Sequence, residues 1–504
     1  MPIKQFTFTF FLAFVSIVHA QGIQDKVTQP QPPRVTIKLP NGKAAAIPKG
    51  PFKPSWQSVK ENYKTPQWFL DGKFGIFIHY GVYTVAAHAS EWYPRHMYSN
   101  SGVQQWHVNR FGGPVDKVGY KDLIPMFKME KFKAAEWADL FKKSGAKYVV
   151  PTAEHHDGFA MYDSKLTKWD SKDMGPKIDF IGDLGAAVRK EGLKFGVSNH
   201  RMEHWDFMYP KLNVKTDLFD PAYADFYGPP QPPPVRKAPV AGEEVIEDQD
   251  LAPQSKEFLE EWLARCQELV DKYKPDMFWF DNGVNSRKLD DVKLRFAAYY
   301  YNRAVQWGKP VSISTKSEAY LAGSIRDFER QGRAPKELTD YYWQVDDPIG
   351  EKFGYVEGMK LANSGIVIRR LIENVSKNGN LMLNISPKSD GTIPQEQKDI
   401  LLGVGKWLEV NGDGIYGTRA WTVFGEGDFR FTKKGKALYA IALKWPTAPV
   451  VITAVPTSLI KVKSVKLLGQ KEPLSFSQDD KGLKVVFPSE KIGDYAWTLK
   501  IEGI

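Results

Sequence analysis

The chain has 504 residues, a net charge of +10, 42% apolar and 13% aromatic residues, 15 tryptophans and one cysteine. That length and apolar content support one large domain with a smaller one beside it, and a single thiol excludes an intrachain disulfide. The basic residues are dispersed rather than clustered, which argues against nucleic acid as a partner. An anionic polysaccharide, a negatively charged cell surface or simple solubility fits the charge better.

The first element in chain order is a secretory signal over 1–20: Lys4, an apolar run at 6–18, then Val18-His19-Ala20 before Gln21. The run is too short to span a bilayer, which takes roughly 20 residues, and no later segment is apolar enough to be a stable anchor. An exported chain of this size without disulfides points to a bacterial periplasm or exterior. Residues 21–55, rich in Pro and Gln, read as a flexible leader.

Over 56–415 the pattern alternates. Apolar runs that read as buried strands lie at 75–81, 147–154, 193–200, 277–283, 310–316 and 380–386. Helical periodicity falls between several of them, in AAEWADLFKKSG, DFIGDLGAAVRKEG, SKEFLEEWLARCQELVDKY and LANSGIVIRRLIENVSKNG. Gly145, Gly192 and Gly379 close such segments as C-terminal caps do. Alternating strands and helices predict a parallel sheet, closed as a (β/α)8 barrel; the glycine-rich turn of an open dinucleotide-binding sheet is missing. Residues 208–254, with PPQPPPV, interrupt the alternation and read as a surface insertion in a barrel loop. Over 420–504 short alternating runs with turn signals predict an antiparallel β-sandwich. Cys266 falls in a helical pattern, as a small buried apolar group.

The chemistry gathers in two places. Past the signal, every histidine lies between 79 and 204, and His79, the pair His155-His156 and His200 end strand-like runs. In a barrel, strand ends of that kind meet at one mouth. Three readings are open: a metal site, side chains satisfied in the core, or donors and acceptors for a polar ligand. The common zinc spacings, HxH and HExxH, are absent. The second place is acidic. Asp281 follows four apolar residues in MFWFDNG, as a helix cap or a nucleophile. Glu329 lies in IRDFERQG, where Asp327 and Glu329 would share a strand face; salt bridges to Arg326 and Arg330 are the plainer reading. Two carboxyls at a barrel mouth amid histidines and tryptophans suit glycoside hydrolysis, one attacking the anomeric carbon and the other protonating the leaving oxygen.

These residues stand in segments that resemble the retaining α-L-fucosidases, glycoside hydrolase family 29. WFLDGKFGIFIHYGVYTV (68–85) is similar to the family's opening strand, with Tyr80 in place of a tryptophan. SEWYPRHM, EHHDGFAMYDSKLTKWDS (Glu154 for the usual lysine), YKPDMFWFDNG, SKNGNLMLNISPKSDGTIP and NGDGIYGTR resemble further signatures, so the likeness runs over about 65–420. It implies Asp281 as nucleophile and His79, Glu91, Trp92, His155 and His156 as contacts of the fucose ring. It also implies Trp279 as an aromatic near the nucleophile and Phe353 as a surface for the sugar's methyl group. His200 stands where many members have a tyrosine, and Lys316 where others place a basic ligand. Glu329 matches the acid/base of a subset of members, with Glu318 and Glu337 as competitors. No metal and no cofactor is implied. The substrate expected is a terminal α-L-fucoside of an oligo- or polysaccharide, with an α-L-galactosidase or a catalytically silent carbohydrate-binding protein as alternatives.

Overall fold

The computed structural model describes residues 39, 43–210, 214–228, 254–316 and 318–503. The predicted signal, most of the predicted leader and residues 211–213 and 229–253 of the predicted insertion lie outside them.

Eight strands, β1 (Phe74–Ile78), β2 (Tyr148–Glu154), β3 (Lys194–Asn199), β4 (Met277–Phe280), β5 (Ser312–Lys316), β6 (Ser324–Glu329), β7 (Trp343–Pro348) and β8 (Gly379–Ile385), close in chain order into a parallel barrel, β8 pairing with β1. β1, β2, β4 and β8 are predominantly apolar on both faces, because one face meets the bore and the other the surrounding helices. Phe77, Tyr148, Val150, Met277, Trp279, Ile325 and Met382 fill the bore, so the interior is packed and opens only where the strands end. Gly75 makes room for this packing: a Cβ there would sit 2.2 Å from the Tyr148 ring.

The apolar runs of the sequence locate six strands and leave β6 and β7 out of that list. β7 reads WQVDDP, and its interior positions are polar: the Gln344 amide donates to Ser314 Oγ and to Asp327 Oδ2 inside the barrel. One predicted cap is also corrected. Gly145 and Gly192 take the left-handed conformation expected of helix C-terminal caps, but Gly379 opens β8, and Asn378 (φ 72°) makes the left-handed turn before it. Gly379 is needed for space instead, since a Cβ there would meet the Trp343 ring at 2.5 Å.

Helices Ala134–Lys143, Phe180–Lys190, Lys256–Tyr273, Asp290–Gln306, Ser364–Ser376 and Gln395–Asn411 surround the barrel. Cys266 is buried in the third of them. Residues 214–228 pack against the barrel loops: Asp217 accepts the hydroxyls of Tyr98 and Tyr227, and Phe226 stacks on Trp169. This part of the predicted insertion is therefore built into the wall rather than laid over it.

Beyond the barrel follow β9 (Arg419–Glu426), β10 (Phe429–Lys434), β11 (Ala437–Ala442), β12 (Val450–Ile452), β13 (Ser464–Leu467), β14 (Phe476–Asp479), β15 (Gly482–Val485) and β16 (Trp497–Glu502). They form an antiparallel five-stranded sheet, β13-β16-β11-β10-β9, and a three-stranded sheet, β12-β15-β14, around one apolar core. Arg419 to Asp71 (2.9 Å) and the Trp407 indole N–H to the Ala496 carbonyl (2.8 Å) join this unit to the barrel. No described helix is long and apolar enough to cross a membrane.

Candidate active site

His79, His155, His156 and His200 all stand just past the ends of β1, β2 and β3, and their rings touch one another at centroid distances of 4.4–5.7 Å. The Asn384 amide donates to the Phe353 carbonyl, which fixes its oxygen toward His79 Nδ1 at 2.7 Å. His79 therefore donates from Nδ1 and keeps Nε2 as an acceptor. His200 accepts at Nε2 from Ser198 Oγ (3.0 Å) and donates from Nδ1 to Asp281 Oδ2 (2.8 Å), a neutral tautomer with both nitrogens used. Burial holds His79 and His155 well below the ordinary histidine value and lowers His200 to about 4, against the pull of Asp281.

His156 differs. Its Nε2 faces Asp281 Oδ2 at 3.3 Å, and its Nδ1 faces the His200 carbonyl (3.1 Å) and Glu203 Oε2 (3.3 Å). Acceptors on both sides suit an imidazolium: burial lowers the group, but Glu203 and Asp281 outweigh it and the value rises.

The other half of the mouth is charged. Asp281 directly follows β4, Lys316 ends β5 and Glu329 ends β6. Lys316 Nζ lies 2.6 Å from Asp281 Oδ1 and 2.9 Å from Glu329 Oε2. Those two carboxyl oxygens are therefore no more than about 5.5 Å apart, the two contacts laid end to end. Burial would raise Asp281, yet Lys316, His200 and His156 reverse it and hold the carboxyl well below the usual range, which keeps it ionised. Lys316 is likewise held well above the ordinary lysine value by Asp281, Asp346 and Glu329 despite burial.

The remaining predicted residues surround these two halves. Trp279 packs at a tilt against His200 (5.2 Å) and donates its indole N–H to Asp327 Oδ2 (2.8 Å). Trp92 packs edge-on against His156 (5.5 Å), and Glu91 Oε2 accepts the Gly354 N–H, which ties the loop after β1 to the one carrying Phe353. Phe353 lies against His79 (4.9 Å), with the Arg330 guanidinium over its ring at 5.0 Å. The competitors sit elsewhere: Glu318 is exposed and paired with Arg326, and Glu337 is exposed. Of the other histidines, His88 stacks on Trp106, His107 bonds the Tyr93 hydroxyl, and His204 bonds the His156 carbonyl.

Three contributors escaped the sequence reading. Asn384 had a signal, an amide inside the apolar run NLMLNIS. Asp346 had one too, an acid in a stretch that must supply a strand between β6 and β8. Glu203, in HRMEHW, had none. Among the described residues, ring nitrogens of His79, His155 and His200 lie within 4.8 Å of one another, as do donor atoms of His156, His200 and Asp281. By donor type either set could take a transition metal, but His200 would have to give up Asp281 or Ser198 to ligate.

Comparison with known proteins places these features in a lineage. Residues 41–413 match the family model described as Alpha-L-fucosidase, and 425–502 match Alpha-L-fucosidase C-terminal domain. The tissue alpha-L-fucosidase of Homo sapiens is 30% identical over 508 residues, covering 96% of this chain and 95% of its own length. That of Bos taurus is 31% identical, covering 90% and 92%. Among solved structures, Thermotoga maritima alpha-fucosidase in complex with fucose superposes with a TM-score of 0.72 at 31% identity, covering 89% of this chain and all of that one.

Proposed function

The chain belongs to the alpha-L-fucosidase family and is a glycoside hydrolase, and from that premise we propose that it releases terminal α-L-fucose by double displacement through a glycosyl-Asp281 intermediate. One observation carries this reading: a single lysine contacts both Asp281 and Glu329, which keeps their oxygens within the roughly 5–5.5 Å that suits retention of configuration. In the first step Glu329 passes its proton to the departing glycosidic oxygen while Asp281 Oδ attacks the anomeric carbon; that C–O bond breaks as the ester forms. In the second, Glu329 takes a proton from water, whose oxygen displaces Asp281 and regenerates both carboxyls.

The histidine wall serves the sugar. The free Nε2 of His79 accepts from one hydroxyl, His155 and Glu91 offer further partners, and the imidazolium of His156 donates toward the reacting side. Phe353 and Trp92 supply apolar surface for the ring and its methyl group. The natural substrate is a fucosyl oligo- or polysaccharide, the exported site of action follows from the predicted signal, and the positive charge suits an anionic polymer.

The Arg330 guanidinium over Phe353 puts a donor beside the expected place of the sugar's C6, which keeps α-L-galactosides in the comparison. The test is a pair of aryl glycosides with the product anomer followed by NMR as it forms. The fucoside is hydrolysed faster, and the first-formed fucose is the α anomer. A β anomer first, or a faster galactoside, overturns the mechanism or the substrate respectively.

A further inference from the structure

Two buried carboxyls next to the proposed catalytic pair have no part in the reaction so far. Asp327 on β6 is well supplied with donors: Oδ2 accepts from Trp279 Nε1 (2.8 Å) and Gln344 Nε2 (2.6 Å), and Oδ1 from the Asp346 backbone N–H (3.3 Å). Asp346 on β7 is the reverse. It is 1% exposed, and among the described residues no donor reaches either of its carboxyl oxygens. An ionised carboxylate left that way in a dry interior is costly, whereas a protonated one can donate its O–H to a neighbouring carboxylate. Asp327 is that neighbour: the two side chains lie within hydrogen-bonding reach, and burial pushes both up, Asp346 well above the usual carboxylate range.

Strand register sets this pair beside the chemistry. Lys316 pairs with Asp327 across β5 and β6, and Glu329 pairs with Asp346 across β6 and β7. The charged and titratable groups facing the pair are Asp281 past β4, Lys316 on β5, Glu329 on β6 and, through Gln344, the Tyr148 hydroxyl from β2; the neighbour on β8 is the apolar Met382. The cations around Glu329 and Asp281 are Lys316, His156 and, at the rim, Arg330 (3.9 Å) and Arg333 (3.8 Å) beside Glu329; Asp281 and Glu203 offset two of them. Further negative charge is needed if Glu329 is to enter the first step protonated.

We propose that Asp327 and Asp346 share one proton, and that the single negative charge they retain is the counterweight to Lys316 that leaves Glu329 its proton for the first step. The two are charge-setting, positioning residues that touch no reacting atom. This rests on the reading of Glu329 as the acid.

Two measurements test it. Infrared difference spectra between the wild type and Asp346→Asn carry the carbonyl band of a protonated carboxylic acid that persists at pH 8; its absence overturns the proposal. In the second, the alkaline limb of kcat/KM is followed on an alkyl fucoside. Asp346→Asn keeps the charge on Asp327 and leaves the limb in place. The double variant Asp327→Asn/Asp346→Asn loses the charge, and the limb falls by about one pH unit, an about tenfold loss above it, with a much smaller loss on an activated aryl fucoside. A limb that moves as far in Asp346→Asn alone, or in neither variant, overturns the shared proton. If the double variant does not fold, the infrared band decides. If Glu329 is not the acid, Glu329→Ala loses its leaving-group selectivity while the band stands, so the two failures are distinct.

Discussion

The mouth of the barrel is two unlike halves. From β1 to β3 it is a wall of imidazoles, mostly neutral, packed ring to ring, with His79, His156 and His200 oriented by directional hydrogen bonds. From β4 to β7 it is a chain of charged and acidic groups, Asp281, Lys316, Glu329 and the acids behind them, in which Asp281 and Lys316 hold each other charged. Under the proposed mechanism the first half would recognise by shape and by fixed donors and acceptors, and the second would react, because Asp281 and Lys316 are buried and close. Loss of a neutral ring should weaken binding gradually, and loss of a charge should stop chemistry.

The largest expected break is Asp281→Gly, which removes the attacking oxygen and should cost at least about 10³-fold in kcat, or about 4 kcal/mol of barrier. A loss below tenfold would shift the nucleophile elsewhere. Next comes Glu329→Ala, with a loss of about 10²-fold on alkyl fucosides and under about tenfold on an activated aryl fucoside, which needs little protonation to depart. Equal losses on the two substrates would end its role as the acid.

The smallest effect sharpens the other half. In the unfolded chain His200 takes up a proton near 6.5, and in the folded chain only near 4. The unfolded state binds more protons between those values, so this contribution is complete above about 6.5 and is lost as pH falls through the window, by up to about 3 kcal/mol. His156 and Asp157, both raised, act in the opposite sense. The melting temperature should therefore fall between pH 7 and pH 4.5, and fall less in His200→Gln; parallel curves would show that burial of this ring carries no cost.

The halves also differed in how far they could be read beforehand. The histidine wall was legible because β1, β2 and β3 are apolar runs that end in histidine, so composition and position agree. The charged half was legible at Asp281, which follows the apolar β4, and at the alternating Asp327 and Glu329, whose plainer reading was a surface salt bridge. β6 and β7 place polar and acidic side chains inside the barrel, where Asp327, Gln344 and Asp346 replace the apolar alternation that marks a strand. The bridge by Lys316 between two carboxyls depends on strand register, and register across a closed barrel cannot be seen in one chain's order. The fucosidase resemblance supplied Lys316 as a position and the acid/base role for Glu329, but neither their contact nor the acid behind them. Glu203 reaches His156 from a turn whose path no local pattern announces.

The filled bore governs traffic. With Phe77, Trp279, Met382 and their neighbours closing the interior, the ester of the proposed mechanism could not be approached from beneath. The departing alcohol and the incoming water must use one doorway in turn. Any alcohol that lingers at that threshold competes with water for the sugar, so the lifetime of the empty doorway decides between hydrolysis and transfer to a new acceptor.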